Sequence, residues 1–362
     1  MADPVAPGDT IGILGGGQLG RMLAVAAAGL GLKSHVYCPD PDSPAFDVAA
    51  AHTIADYGDE AAVASFAASV PIVTFEFENV PIETADVVGR HGRLAPGARA
   101  LATTQDRLVE KRFVAGLGIP TAPFRPVAAQ SELRRALAEL GAPAILKTRR
   151  FGYDGKGQVR IGSPDEAADA WAQLGGAPAI LEGVVPFSRE VSVVAVRGRD
   201  GAFRAYDSCW NEHRAGILYR TRVPSGLPVA LEKEAGSIAK AIADALDYVG
   251  VLAVEMFLLP GPGGETLAVN EIAPRVHNSG HWTIEGADTS QFEQHVRAVC
   301  GWPLGSAGRA AAADMTNLIG DEIESWPAIL GQEGAHLHHY GKRDARPGRK
   351  MGHVTRLSRL TP

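Results

Sequence analysis

Short apolar runs, bounded by glycine and polar clusters, recur through the first third of the chain. Thr10-Ile11-Gly12-Ile13-Leu14, Ser34-His35-Val36-Tyr37-Cys38 and Ile72-Val73-Thr74-Phe75-Glu76 read as strands. The Ala-rich stretch 21–29 and the stretch 60–69 read as helices between them. This β-α-β-α-β order predicts a doubly wound parallel sheet. Pro96-Gly97 breaks the pattern, and a charged amphipathic helix is expected over 106–115. A second unit follows: a helix over 132–140, strands at 144–147, 159–161 and 179–182, and a helix opened by Ser163-Pro164-Asp165-Glu166. From Arg189 onward strands dominate, at 190–196, 203–209 and 218–223. One long helix over 231–246 separates them from two acidic strands. A helix at 291–300 and strands at 336–340 and 350–355 close the pattern. The fold class is α/β, turning to α+β in the C-terminal part.

The two acidic strands carry the densest chemistry. Ala253-Val254-Glu255-Met256-Phe257 and Ala268-Val269-Asn270-Glu271-Ile272-Ala273 flank the turn formers Pro260-Gly261-Pro262-Gly263-Gly264. Pro274 lacks an N–H, so the second strand should end near Ala273. In a hairpin Glu255 and Glu271 would meet. With the Asn270 amide oxygen they form an oxygen set suited to magnesium carrying a nucleotide phosphate. Arg275, His277, Asn278, Ser279 and His281 follow at once, nearly all able to hold an anion or a hydroxyl.

Gly15-x-Gly17-x-x-Gly20, after a strand and before a helix, fits a dinucleotide fingerprint, with an acid about twenty residues on at Asp40. The same turn serves any phosphate at a helix N-terminus, or no ligand at all. Lys147, with the glycine-spaced run Gly152-Tyr153-Asp154-Gly155-Lys156-Gly157-Gln158, reads as a lid that covers phosphates. Glu182-Gly183-Val184-Val185 ends a strand and could run beside an adenine, although common strand ends look alike. Glu190 could hold a ribose hydroxyl or face solvent. In Thr74-Phe75-Glu76-Phe77-Glu78, alternation puts Glu76 and Glu78 on one side, at the carboxyl edge of the sheet or on the surface. The basic run Arg346-Pro347-Gly348-Arg349-Lys350, with Lys342 and Arg343 before it, reads as a phosphate-monoester site. His213 lacks metal-ligand spacing to another histidine and reads as a hydrogen-bonding group.

Composition narrows the classes. At 362 residues the chain exceeds one ordinary core, so two or three domains are expected. A net charge of -6 argues against general nucleic-acid binding. Cys38, Cys209 and Cys300 are few, far apart and without a CxxC, which speaks against a zinc framework and fits a reducing cytoplasm. No apolar run approaches the ~20 residues of a membrane span.

Taken together the chain resembles the ATP-grasp enzymes, and among them the 5-(carboxyamino)imidazole ribonucleotide synthetases. The resemblance rests on Gly15 to Met22, Asp106-Arg107, Gly152 to Gln158, Asn211-x-His213-x-x-Gly216-Ile217-Leu218, Asn270 to Trp282 and Arg346 to His353. It implies a Rossmann-like N-terminal domain over 1–105 without a dinucleotide, a linker helix and lid over 106–188, and a C-terminal grasp domain over 189–362. Arg107, Lys147, residues 152–158, Glu182, Gly183, Val184, Val185, Glu190, His213, Asn270 and Glu271 would meet ATP. Glu255 and Glu271 would hold magnesium, or manganese. The aminoimidazole ribonucleotide would meet Gln18, Leu19, Glu76, Tyr153, Asp154, Lys156, Arg275, His277, Asn278 and Ser279, and its phosphate Lys342, Arg349 and Lys350.

The implied reaction joins bicarbonate to the ribonucleotide amine through carboxyphosphate. Lys147, Asp154, Lys156 and Arg275 are the catalytic candidates, in a cytoplasmic homodimer. Two departures stand out. Position 156 is lysine where the family's lid commonly has arginine, so charge is kept and the bidentate fork is lost. The chain also stops soon after His353. The rival readings are another ATP-grasp ligase, such as a formate-using glycinamide ribonucleotide transformylase, a nicotinamide-dependent oxidoreductase, and a nucleotide sensor without turnover.

Overall fold

The computed structural model describes residues 3–152 and 156–358. Among the described residues the strands form three sheets. The first is parallel throughout, in the order Ala51–Thr53, Lys33–Tyr37, Thr10–Leu14, Val73–Phe75. Its central strand is apolar because helices cover both faces. The strand expected over 72–76 closes at Phe75. Glu76 still bonds Leu14 O through its N–H, and its carboxylate reaches the glycine-rich turn, while Phe75 and Phe77 share a core and Glu76 and Glu78 share the cleft as the alternation expects.

The second sheet is antiparallel, in the order Phe124–Val127, Ala179–Gly183, Ala144–Thr148, Gln158–Ile161. Helices Gln130–Leu140 and Ala167–Gln173 bury Leu133, Leu137 and Ala170 against its Leu146 and Leu181.

The third sheet is antiparallel and runs Thr266–Ala273, Gly250–Leu259, Arg189–Arg197, Cys209–Arg214, Ile217–Val223, Ala312–Ile319, Lys350–Ser358, Ala335–His339, with Phe203–Ala205 added to Arg189–Arg197. Helix Val229–Ala245 covers one face through Ala235, Ile238 and Ile242. Helices Gln291–Cys300 and Gln18–Gly29 share a core with the other face, so the first and third sheets are packed as one body there. His295 ties them by hydrogen bonds as well. Its Nε2 meets Thr74 Oγ1 at 2.7 Å and its Nδ1 accepts from Val251 N–H at 3.1 Å.

Two expectations needed revision. The strand expected over 203–209 is broken after Ala205, because Ser208 gives its N–H and hydroxyl to Glu232 while Asp207 holds Arg309. The strand Ala312–Ile319 has no counterpart in the sequence pattern. The three cysteines are free thiols. Among the described residues no helix is long and apolar enough to cross a membrane.

Candidate active site

One cleft of about 910 Å³ takes side chains from the second and third sheets and from the segments that follow two strands of the first. Its acidic part is the hairpin formed by Gly250–Leu259 and Thr266–Ala273, where Glu255 and Glu271 are direct register partners. The second strand ends at Ala273, just before Pro274, as expected. Glu271 uses one oxygen to hold Arg107 at 3.0 Å, and Glu255 uses one to meet His277 Nε2 at 3.0 Å. Burial alone would raise the Glu255 pKa; its contact with His277, with His213 and Lys350 nearby, outweighs burial and lowers it. Asn270 Oδ1 is buried on the same hairpin with no hydrogen-bond partner among the described residues. Two carboxylates and an orphaned amide oxygen fit a hard divalent cation such as magnesium.

The lysines stand on the lid side. Lys147 lines the cleft and holds Glu182 at 2.9 Å. A second lysine was missed by sequence reasoning: Lys111, 2% exposed, approaches the same carboxylate at 3.8 Å. Burial would raise the Glu182 pKa, but the two ammonium groups outweigh it and lower it. Lys111 also donates to Val269 O at 3.3 Å, and its neighbour Glu110 accepts from Ile272 N–H at 2.7 Å. The helix Arg107–Gly116 is therefore more than the linker the sequence suggested. It clamps the strand that carries Asn270 and Glu271 on both sides of them. Glu182, Gly183, Val184 and Val185 do not line the cleft with side chains, and the Gly183 and Val184 N–H groups are spent on Pro123 O and Pro143 O. Glu190 and His213 do line it, paired at 2.5 Å. Gly152, Lys156 and Gln158 reach it too. Tyr153, Asp154 and Gly155 lie outside the described residues.

The third part gathers Gln18, Leu19, Glu76, Arg275, His277 and Asn278 with Lys342, Arg349 and Lys350. The glycine-rich turn explains itself here. Gly17 N–H donates to Glu76 at 2.8 Å and Gly20 N–H at 3.1 Å. A Cβ at Gly17 would sit 2.7 Å from Glu76 Oε1, and one at Gly20 would sit 2.7 Å from Gly15 O. The amides that a dinucleotide phosphate would need are occupied by the protein's own carboxylate. Glu76 is therefore no surface acid, and burial raises its pKa against the pull of the two amides, Arg275 and Lys342. Arg275 is bound through its Nε to Glu78 and through Nη1 to Val276 O. Burial would raise the Glu78 pKa; Arg275 brings it to about 2. Ser279 is fully buried beneath the cleft and bonded to His277 Nδ1 and Ser192. Around the basic turn, Lys342 Nζ caps Lys350 O at 2.7 Å and Arg349 Nη1 bonds Asp344 O at 2.9 Å.

Comparison with known proteins decides the family. An ATP-grasp domain model matches residues 112–292, a ribonucleotide synthetase preATP-grasp domain residues 9–105, and a phosphoribosylaminoimidazole carboxylase C-terminal domain residues 313–360. The N5-carboxyaminoimidazole ribonucleotide synthase of Brucella melitensis is 50% identical over 357 residues, covering 98% of each chain. The chain belongs to the N5-carboxyaminoimidazole ribonucleotide synthase family. Among solved members, the synthetase of Thermus thermophilus superposes with a TM-score of 0.90 at 49% identity, over 96% of this chain and 93% of that one. The Aspergillus clavatus synthase, solved with ADP and 5-aminoimidazole ribonucleotide, gives 0.90 at 32% identity, over 97% and 94%. Members of this family are ATP-dependent ligases, which removes the oxidoreductase reading that the glycine turn alone left open.

Proposed function

We propose that this cleft joins bicarbonate to the exocyclic amine of 5-aminoimidazole ribonucleotide, using ATP and releasing ADP and phosphate. The observation that carries the reading is one cavity lined both by the Glu255, Glu271, Asn270 and Lys147 set and by the Lys342–Lys350 basic turn. The first set suits a nucleoside triphosphate with its cation, the second a ribonucleotide phosphate. We divide the chain at 105 and 188 for the same reason, since each part brings one wall.

Bicarbonate is a poor electrophile because hydroxide is its leaving group. Phosphorylation gives carboxyphosphate, whose phosphate leaves readily. Glu255, Glu271 and Asn270 would hold magnesium, which when bound neutralises charge on the transferring phosphoryl group. Lys147, oriented by Glu182, adds a fixed positive charge. Arg107 stands between Glu271 and the lid, with Nη2 on Gly152 O at 3.2 Å. Glu190 and His213 face the nucleotide side, with Lys156 and Gln158 closing over it. Arg275, steadied by Glu78, presents the rest of its guanidinium to bicarbonate beside Glu76 and His277. Asp154 would orient the amine, and lid closure would keep water from the carboxyphosphate. Lys342, Arg349 and Lys350 hold the ribonucleotide phosphate. We read the working unit as a cytoplasmic homodimer, which sedimentation at micromolar concentration checks.

The test is ADP release with magnesium and ATP, with and without the ribonucleotide, in bicarbonate-replete and bicarbonate-depleted buffer. The reading expects ribonucleotide-dependent release and carboxylated product only with bicarbonate. Release that requires a different amine or acid would keep the fold and move the substrate.

A further inference from the structure

Four buried polar side chains run beneath the cleft without touching its surface. Thr221, Asn211, Ser192 and Ser279 are 0–3% exposed. The first three sit on adjacent strands, Ile217–Val223, Cys209–Arg214 and Arg189–Arg197, with Thr221 directly opposite Asn211. Buried hydroxyls and amides destabilise a core unless each finds a partner. Here they partner one another in a line. Thr221 donates to Asn211 Oδ1 at 3.0 Å, Asn211 Nδ2 to Ser192 Oγ at 2.8 Å, and Ser192 to Ser279 Oγ at 2.8 Å. The line ends on His277 Nδ1, 2.9 Å from Ser279 Oγ.

The polarity of that last contact is decided by the main chain. The Ser279 backbone N–H, which can only donate, points at the same Nδ1 from 3.3 Å. Nδ1 therefore carries the lone pair, and the Ser279 hydroxyl donates to it as well. The ring proton then lies on Nε2, 3.0 Å from Glu255 Oε1. The backbone of His277 is held on both sides by Gln291, which accepts from its N–H at 2.9 Å and donates to its carbonyl at 2.7 Å.

We propose that the Thr221–Asn211–Ser192–Ser279 chain is a positioning device for the reaction. Together with the Ser279 backbone N–H it holds the rotation of His277, so that His277 donates to one oxygen of Glu255 and would leave the other for the cation. The consequence for the cation rests on the assignment of Glu255 above; the tautomer does not. Outer partners of this kind orient carboxylate ligands and commonly change metal affinity when lost.

The experiment uses full-length, metal-free protein labelled with 15N-histidine, observed by long-range proton–nitrogen correlation, with His277→Gln to assign the ring. The expected wild-type pattern is a protonated Nε2 and an unprotonated Nδ1. Ser192→Ala removes the donor that turns the Ser279 hydroxyl onto Nδ1, so Nδ1 keeps only its backbone N–H contact and the Nδ1 and Nε2 signals of His277 shift from their wild-type positions. The magnesium midpoint for ADP release should then rise about tenfold, with kcat at saturating magnesium within about twofold. Thr221→Val, which trims the far end of the chain, gives a smaller shift in the same direction and serves if Ser192→Ala does not fold. A wild-type ring protonated on Nδ1, or ring signals unmoved in both variants, overturns the proposal. If the ring behaves as expected while Glu255→Gln keeps its magnesium dependence, the hydrogen-bond chain stands and only the metal assignment falls.

Discussion

Glu271 is asked to do two things at once, to hold Arg107 and to face Glu255 across the hairpin. Glu271→Gln keeps its shape and removes its charge. Turnover should be lost while the melting temperature hardly changes, and magnesium-dependent activity near the wild-type rate would refute the metal assignment. Lys111 poses the opposite case. It is buried, and its ammonium offsets Glu182 beside Lys147 while it holds Val269 O. Lys111→Met should cost about 3 kcal/mol in urea unfolding, because a buried carboxylate loses one of its two cations. Nothing along the sequence marked this residue. On an amphipathic helix a lysine reads as solvated, and only the third sheet lying against that helix makes it an interior charge.

At the level of elements, the hairpin was legible because alternation, the Pro-Gly turn and Pro274 all agree on its limits. That the lysine–glycine stretch and the basic turn border the cleft was legible by residue type. The partners of those elements were not. Arg275 meets Glu78 across 197 residues of sequence, so its role as a paired group follows only from the packing of the two sheets. The glycine turn was ambiguous by itself, since the carboxylate that fills it comes from just past the end of another strand. The strand Ala312–Ile319 begins in an alanine run that favours helix locally, and pairing with Ile217–Val223 and Lys350–Ser358 overrides that preference. The basic turn makes its own prediction. Arg349→Ala should raise the ribonucleotide KM by one to two orders of magnitude, from loss of a contact of ~1.5–3 kcal/mol, and leave the ATP KM alone. Steady-state kinetics with each substrate varied separately checks this, and an unchanged ribonucleotide KM would take the turn out of the site.

Across the whole molecule, the seam between the first and third sheets carries a pH dependence. Burial brings His295, which bridges Thr74 and Val251 there, to about 3. A base lowered in the folded state gives stability that is whole above its unfolded pKa, near 6.5, and is lost as pH falls toward the folded value. His295 should therefore cost about 1.6 kcal/mol between pH 6.5 and 5. Denaturant unfolding at the two pH values measures it, and His295→Asn should flatten the curve by one proton's worth. The carboxylate of Glu76 has a reach of another kind. It lines the cleft and at the same time grips the first amides of helix Gln18–Gly29. A ligand that draws on Glu76 must alter those two hydrogen bonds, so the amide protons of Gly17 and Gly20 form a built-in spectroscopic probe. Their chemical shifts and exchange rates would register substrate arrival with no dye, tag or coupled assay.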